Sequence, residues 1–196
     1  MKEAGLNVLV VYGSMRRDRR GIRLARFLLD RLEARDVSAE LADAMEIELP
    51  LLDRMYKEFE SGAAPEPMER LAAMIRRADA VLVVAGEYNH GIQPGLKNLL
   101  DHFLEEWFFR PAGIACYSAG RFGGVRAAMQ LRMTLAELGM PTISSLLPVP
   151  SIDDALSEAG APGDDRLVKA ADRFLDELLW WAEAAKRQKE STGAPF

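Results

Sequence analysis

Ala80-Val81-Leu82-Val83-Val84-Ala85 runs into Gly86-Glu87-Tyr88-Asn89-His90-Gly91, and Pro94-Gly95-Leu96-Lys97-Asn98-Leu99-Leu100-Asp101 follows after two residues. A valine-rich apolar run closed by a glycine reads as a strand buried on both faces, and a Pro-Gly pair ahead of an apolar-periodic segment reads as the start of a helix. The polar residues between them form a β-to-α turn. In open α/β sheets such turns stand at the carboxyl ends of the strands, where ligands bind. Glu87, Tyr88 and Asn89 offer a carboxylate, an aromatic wall, an amide and several main-chain groups. That set suits a flat ring with polar edges better than a metal or a peptide.

The same alternation of periods extends in both directions. Strand patterns lie at Asn7 to Tyr12, Val37 to Ala42, Gly113 to Tyr117 and Thr142 to Leu147. Helical patterns lie at Gly21 to Arg35, Pro67 to Arg77, Gly95 to Glu106, Gly124 to Gly139 and Asp165 to about Lys189. Parallel strands need right-handed helical crossovers, so five β-α units imply a doubly wound α/β fold, a parallel sheet with helices on both faces. No repeat or interdomain linker interrupts it. Residues 1–190 read as one domain and Ser191 to Phe196 as a frayed tail. Glu46 to Pro67 is long for a β-α connection and carries Pro50, Gly62, Pro65 and Pro67. It fits either a flap over a site or an insertion packed on the sheet edge.

Composition narrows the class. A chain of 196 residues that is 49% hydrophobic can bury a full core without disulfides or metal. The single cysteine, Cys116, excludes an intramolecular disulfide framework and fits a reducing, cytoplasmic setting. No apolar run approaches a membrane span, and Met1 to Gly5 lacks the regions of a signal peptide. A formal charge of −5 argues against a general nucleic-acid binder. No His or Cys cluster offers a metal site.

The basic residues are nonetheless unevenly placed, with five arginines between Arg16 and Arg23. In the turn Gly13-Ser14-Met15-Arg16-Arg17-Asp18-Arg19-Arg20-Gly21-Ile22, a glycine lets the chain leave the strand sharply and Ser14 supplies a hydroxyl. Helix-start amides add a positive dipole end, and Arg16 can clasp a phosphate bidentately. Arginines at a helix start are odd for structure alone, because that end prefers negative charge unless a bound anion offsets the repulsion. A solvated basic face is the bland alternative. There is no Gly-Lys-Ser/Thr ending of a P-loop and no three-glycine dinucleotide fingerprint. The third turn, Ser118-Ala119-Gly120-Arg121-Phe122-Gly123-Gly124, lets the backbone approach a ligand edge, with Ser118 as a hydrogen-bonding group. Cys116 and Arg121 are separated by four residues rather than the five of a tyrosine-phosphatase loop, so Cys116 reads as a small core residue.

Together these turns resemble the NADPH-dependent FMN reductase family, the flavodoxin-like quinone, azo and chromate reductases. The resemblance covers nearly the whole chain, and Glu87-Tyr88-Asn89-His90 with Pro94-Gly95-Leu96-Lys97-Asn98 is its specific part. It implies a five-stranded sheet of order 2-1-3-4-5. It also implies non-covalent FMN, whose phosphate Ser14 and Arg16 hold, with Gly13, Arg19, Gly21 and Ile22 completing the loop. Glu87, Tyr88, Asn89 and His90 would line the isoalloxazine, largely through main-chain atoms, and Ser118 and Gly120 its pyrimidine edge. NADPH or NADH would deliver hydride, and a quinone-like, azo, metal-oxyanion or free-flavin acceptor would take the electrons in a ping-pong sequence. No residue need act as a catalytic acid or base. Family members are homodimers or homotetramers. This chain departs from many of them in having Gly86 for Pro, which would loosen the turn, and Arg19 and Gly21 for Ser and Asn.

Other readings follow from the residues. His102, within a helical pattern, is structural, and His90 at the turn meets substrate. Of the adjacent Trp180 and Trp181, one covers the sheet. Trp107-Phe108-Phe109 lies at the opposite end of the sheet from the three turns. An electron carrier of the flavodoxin type and a non-catalytic flavin-binding regulator share the fold. Arginines in the first loop are unlike a carrier's hydroxyl-rich one.

Overall fold

Val8, Val10 and Tyr12 pack with Leu82, Val84 and Ala115 in one buried cluster, while Leu9 and Val11 pack with Val81, Val83 and Ile114 in another. Successive residues of a strand point to opposite faces, so the central apolar runs feed two cores at once. That places helices on both sides. In a computed structural model of the chain, which describes residues 5–196, the strands are β1 (Asn7–Tyr12), β2 (Ser38–Asp43), β3 (Ala80–Tyr88), β4 (Gly91–Ile92), β5 (Ala112–Tyr117) and β6 (Thr142–Val149). The helices are α1 (Ile22–Glu33), α2 (Ala44–Ile47), α3 (Glu66–Arg77), α4 (Pro94–Asp101), α5 (Val125–Glu137), α6 (Ile152–Ala155) and α7 (Asp165–Thr192). The signal-peptide reading of the first four residues lies outside the described residues.

The main sheet is parallel in the order β2-β1-β3-β5-β6, and β4 pairs only with the end of β3. Counting the five parallel strands alone, this is the expected 2-1-3-4-5. Helices α3, α4 and α5 cover one face, through Leu71, Ile75, Leu96, Leu99, Leu131 and Leu135. Helices α1 and α7 cover the other, through Leu24, Leu28, Phe174, Leu175 and Leu178. Among the described residues no helix is long and apolar enough to cross a membrane, and no group of three metal-ligating side chains occurs.

Four local expectations need correction. Helix α4 ends at Asp101 rather than near Glu106, because the backbone breaks at Leu104 (φ −137°) into a short 3₁₀ turn, Glu105–Trp107. Neither Trp180 nor Trp181 covers the sheet. They are 64% and 47% exposed and stack edge to face on each other at 4.8 Å, flanking the buried stripe of Ala171, Phe174, Leu175, Leu178 and Ala182. Ser191 and Thr192 belong to α7, and Phe196 rests 5.0 Å from Phe109. The long connection after β2 divides its roles. Its second half packs on the helices, with the Tyr56 N–H donating to the His102 carbonyl at 2.8 Å and its ring 5.3 Å from Phe103. Its first half, Leu49 to Leu52, stands beside the site. His102 is buried, its Nδ1 2.7 Å from the Asn98 carbonyl, which fits its structural reading.

Candidate functional site

The three turns converge at the carboxyl end of β1, β3 and β5. Gly13 follows β1 and lies against α4. A Cβ there would stand 2.1 Å from the Leu96 Cβ, and one on Gly95 would stand 2.7 Å from the Gly13 carbonyl oxygen. Glycine at position 13 therefore serves close approach of loop and helix, and its φ is not among the positive ones, so a sharp turn is not what requires it. Ser14 is buried with its Oγ 3.1 Å from the Tyr88 phenol. The main-chain N–H groups of Ser14 through Arg19 donate to no other protein group among the described residues. Successive unbonded amides make an anion-binding concavity.

The arginines divide into two sets. Arg19 bonds the buried carboxylate of Asp43 and lies 3.6 Å from Glu46. Arg20 pairs with Asp153, and Arg23 pairs with the same carboxylate at 3.2 Å while donating to the Leu156 carbonyl. These three tie the first loop to β2 and α6. Of the five arginines only Arg16 and Arg17 lack such a structural role, being exposed and without a side-chain partner among the described residues. Ile22 opens α1. Gly21 has an ordinary helical φ of −67°, and a Cβ on it would meet the Tyr117 ring at 2.1 Å.

At the second turn the chain does not pass directly from strand to helix. Strand β3 runs on to Tyr88, and Glu87 and Tyr88 pair antiparallel with Ile92 and Gly91. Asn89 and His90 form the two-residue tip with φ of +48° and +65°. Positive φ at both central positions is the geometry of a type I′ hairpin turn. Gln130 steadies the tip by donating to the His90 carbonyl at 3.1 Å, and the His90 side chain is exposed. The Glu87 carboxylate turns aside, accepting from the Arg126 guanidinium at 2.9 Å and from the Arg126 main-chain N–H at 3.1 Å. Partial burial pushes its pKa up, but these bonds outweigh that and hold it below the usual carboxylate range.

Beneath the turn lies a buried polar chain. The Gly86 N–H donates to Gln93 Oε1 at 2.9 Å, Gln93 Nε2 donates to the Tyr117 phenol at 3.2 Å, and that phenol lies 3.5 Å from the Tyr12 phenol. Burial raises the pKa of both phenols, so they stay neutral. Gly86 does not loosen the turn. It is paired within β3, and a Cβ there would sit 2.8 Å from the Tyr117 ring.

In the third turn the Ser118 hydroxyl donates to the Gly120 carbonyl at 2.7 Å and accepts from the Gly123 N–H at 2.9 Å, so it shapes its own loop. The N–H groups of Ala119 through Phe122 have no protein partner among the described residues, and a Cβ on Gly120 would meet nothing. Cys116 is fully buried, and burial pushes its thiol up to about 12.

Between the first loop and α4 opens a cavity of about 330 Å³, walled by Met15, Leu49, Leu51, Tyr88, Pro94 and Leu99, with Arg16 also lining it. The structure thus gathers Gly13, Arg16 and Tyr88 around one opening, with Ser14 buried behind it against the Tyr88 phenol. It turns the side chains of Arg19 and Glu87 away to Asp43 and Arg126. Sequence reasoning missed Gln93, Tyr117 and Asn98. Gln93 carried a signal, as a polar residue directly before the Pro-Gly helix start; Tyr117 looked only like another strand residue.

A parallel sheet with unbonded amide loops and an aromatic wall at its carboxyl end is the arrangement of a flavodoxin-like nucleotide-binding protein. Residues 6–154 match the NADPH-dependent FMN reductase family, and the chain belongs to that family. It is an oxidoreductase that works with FMN and a nicotinamide co-substrate. A quinone reductase of Pseudomonas putida is 29% identical over 184 residues, spanning 90% of this chain and 95% of that protein. An NAD(P)H-dependent FMN reductase of Pseudomonas aeruginosa is 33% identical over 150 residues, 74% of this chain and 78% of the relative. The flavoenzyme NAD(P)H:(acceptor) oxidoreductase FerB from Paracoccus denitrificans superposes with a TM-score of 0.75 at 26% identity, covering 92% of this chain and 98% of its own. The residues present fit FMN: the Ser14 to Arg19 amides and free Arg16 suit a phosphate, and the Ala119 to Phe122 amides suit a carbonyl-bearing ring edge.

Proposed function

We propose that the protein is an FMN-dependent NAD(P)H oxidoreductase acting in ping-pong order. NAD(P)H reacts first and leaves, and a small quinone-like, azo, metal-oxyanion or free-flavin acceptor reacts second. The observation that carries this reading is the run of unbonded amides from Ser14 to Arg19 beside partnerless Arg16, opening directly onto Tyr88 and the apolar cavity. Bound FMN would supply the chemistry itself, taking a hydride and returning two electrons.

The chain's residues bind and orient. Ser14 and Arg16 hold the phosphate, within a loop completed by Gly13, Arg19, Gly21 and Ile22. Arg19 acts there through Asp43, fixing the loop against the end of β2. Glu87, Tyr88, Asn89 and His90 line the ring. With the Glu87 carboxylate drawn off to Arg126, that residue presents its main chain. Ser118 and Gly120 shape the third loop so that the amides between Ala119 and Phe122 face the pyrimidine edge, where they offset negative charge. No side chain is asked to move a proton. We further propose a cytoplasmic homodimer or homotetramer that binds neither nucleic acid nor membrane. The exposed Met129 and Met133 of α5 support self-association, and Arg19, Arg20 and Arg23 are already neutralised by carboxylates.

The test is the anaerobic visible spectrum of the FMN-reconstituted protein, recorded before NADPH, after NADPH and after a quinone. Bleaching followed by recovery is expected. Flavin that binds but stays oxidised would make this an electron carrier, and failure to retain FMN would overturn the site.

A further inference from the structure

The segment Leu49 to Leu52 forms one wall of the cavity beside Tyr88, and its attachment is unusual. Between Leu49 and Arg54 two main-chain groups are hydrogen-bonded among the described residues, and both bonds go to one side chain. The Asn98 amide donates from Nδ2 to the Pro50 carbonyl at 2.8 Å and accepts at Oδ1 from the Leu52 N–H at 2.9 Å. Its two ends thus grip the chain on either side of Leu51, as a neighbouring strand would. Asn98 stands on α4, the helix that supplies Pro94, Gly95 and Leu99 to the cavity. Floor and wall are therefore held in register by a single amide. The next ties are the end of α2 and the Tyr56 N–H, which donates to the His102 carbonyl just past α4.

What the strap presents is apolar. Leu49 is half buried in the wall, and Leu51 is 87% exposed although it lines the opening. An exposed leucine at the lip of an apolar cavity gains burial only when a ligand covers it. Leu49 and Leu51 form one wall of the cavity, held among the described residues by no hydrogen bond beyond those of Asn98, so the cavity's width there depends on where the strap is held.

We propose that Asn98 is a positioning residue that pins Leu49 and Leu51 as the wall of an acceptor pocket, and that this wall selects planar acceptors by size. This rests on the oxidoreductase reading above. With the amide removed, the strap keeps its ends but not its middle, and larger ring systems enter.

The experiment compares kcat/KM of the FMN-loaded enzyme for one-ring benzoquinone, two-ring menadione and three-ring anthraquinone-2-sulfonate. Asn98→Ala should raise the three-ring to one-ring ratio about fivefold or more, chiefly through KM. In a ping-pong sequence the acceptor's kcat/KM reports its own half-reaction, so the ratio between acceptors is independent of the rate of reduction by NADPH. Asn98→Asp keeps an acceptor for the Leu52 N–H but loses the donor to the Pro50 carbonyl, and should fall between. Leu49→Ala widens the wall without freeing the strap and should shift selectivity the same way. A ratio unchanged in Asn98→Ala but moved by Leu49→Ala would overturn the role of Asn98, and a ratio unmoved by either would overturn the pocket. If Asn98→Ala does not fold, Asn98→Asp decides the same question. Failure of the unmodified protein to oxidise NADPH would instead refute the underlying function.

Discussion

For folding, Gly21 is expected to be required by one neighbouring ring. Its φ of −67° suits any residue, so alanine there carries no backbone strain. A Cβ would meet the Tyr117 Cζ at 2.1 Å, Cε1 at 2.2 Å and phenol oxygen at 2.4 Å, and these are its nearest neighbours. The ring cannot swing away, because its phenol is fixed by Gln93 and its other side lies over Gly86. Overpacking of a rigid site costs about 1–3 kcal/mol, so Gly21→Ala should lose about 3 kcal/mol, or about 6–12 °C in Tm for a domain of this size. Tyr117→Ala should itself lose about 3–5 kcal/mol through the cavity it leaves. In that background Gly21→Ala should be neutral, or stabilising by about 0.4–1 kcal/mol through the lower entropy of the unfolded chain. In Tyr117→Phe, which keeps the ring, the penalty should persist. Urea unfolding followed by circular dichroism measures the cycle. Equal penalties in the native and Tyr117→Ala backgrounds would refute the reasoning.

Arg16→Ala removes a charge-assisted contact worth about 1.5–3 kcal/mol and should weaken FMN binding about 10- to 150-fold, read by flavin fluorescence titration; unchanged affinity would remove Arg16 from the site. Cys116, buried and with its thiol pushed up to about 12, should resist iodoacetamide at pH 8 in the folded protein and react once the chain is unfolded, as mass spectrometry would record. Asp172 joins α7 to Arg31 of α1 at 2.5 Å and to Arg35 in the turn just past α1 at 2.8 Å; burial raises its pKa, but the two arginines outweigh that and lower it overall. A depressed carboxylate stabilises above its unfolded pKa and loses that contribution as pH falls through the folded one. Asp172→Asn should therefore cost about 1–2 kcal/mol at pH 7, after allowance for solvent screening, and the gap from the unmodified protein should narrow as the pH falls below the ordinary aspartate value of about 4. A gap constant from pH 7 to pH 3 would contradict it.

The fold was legible because its signal is redundant. Runs such as Ala80 to Ala85 and Asn7 to Tyr12 are apolar on both faces, and only a sheet covered by helices on both sides satisfies that. The Glu87 to Gly91 hairpin was not legible, because Asn-His lacks the glycine that usually marks a type I′ turn. Asn89 and His90 hold left-handed backbones at some cost in strain, and Gln130 and the β4 pairing keep them there. The ends of α4 and the placing of Trp180 and Trp181 also escaped. Helical periodicity says which residues share a face but not how wide the buried stripe is.

The site was legible as a place and less so as a set of roles. Side chains named for chemistry, Glu87 and Arg19 among them, are spent on holding the loops, through Arg126 and Asp43. The groups left open to a ligand are largely amides, which every residue carries and no sequence pattern displays. The departures at positions 21 and 86 have one cause. Tyr117 places its ring between two backbones that only glycine lets come so close, and it hydrogen-bonds the Gln93 amide that receives the Gly86 N–H. A glycine at 21 alone would leave a void, and a Tyr117 ring alone would clash. The two glycines, the tyrosine and the glutamine therefore form one packing solution beneath the ring-binding turn. Exchanging Gly21 for Asn or Gly86 for Pro should disturb that turn unless Tyr117 changes with it.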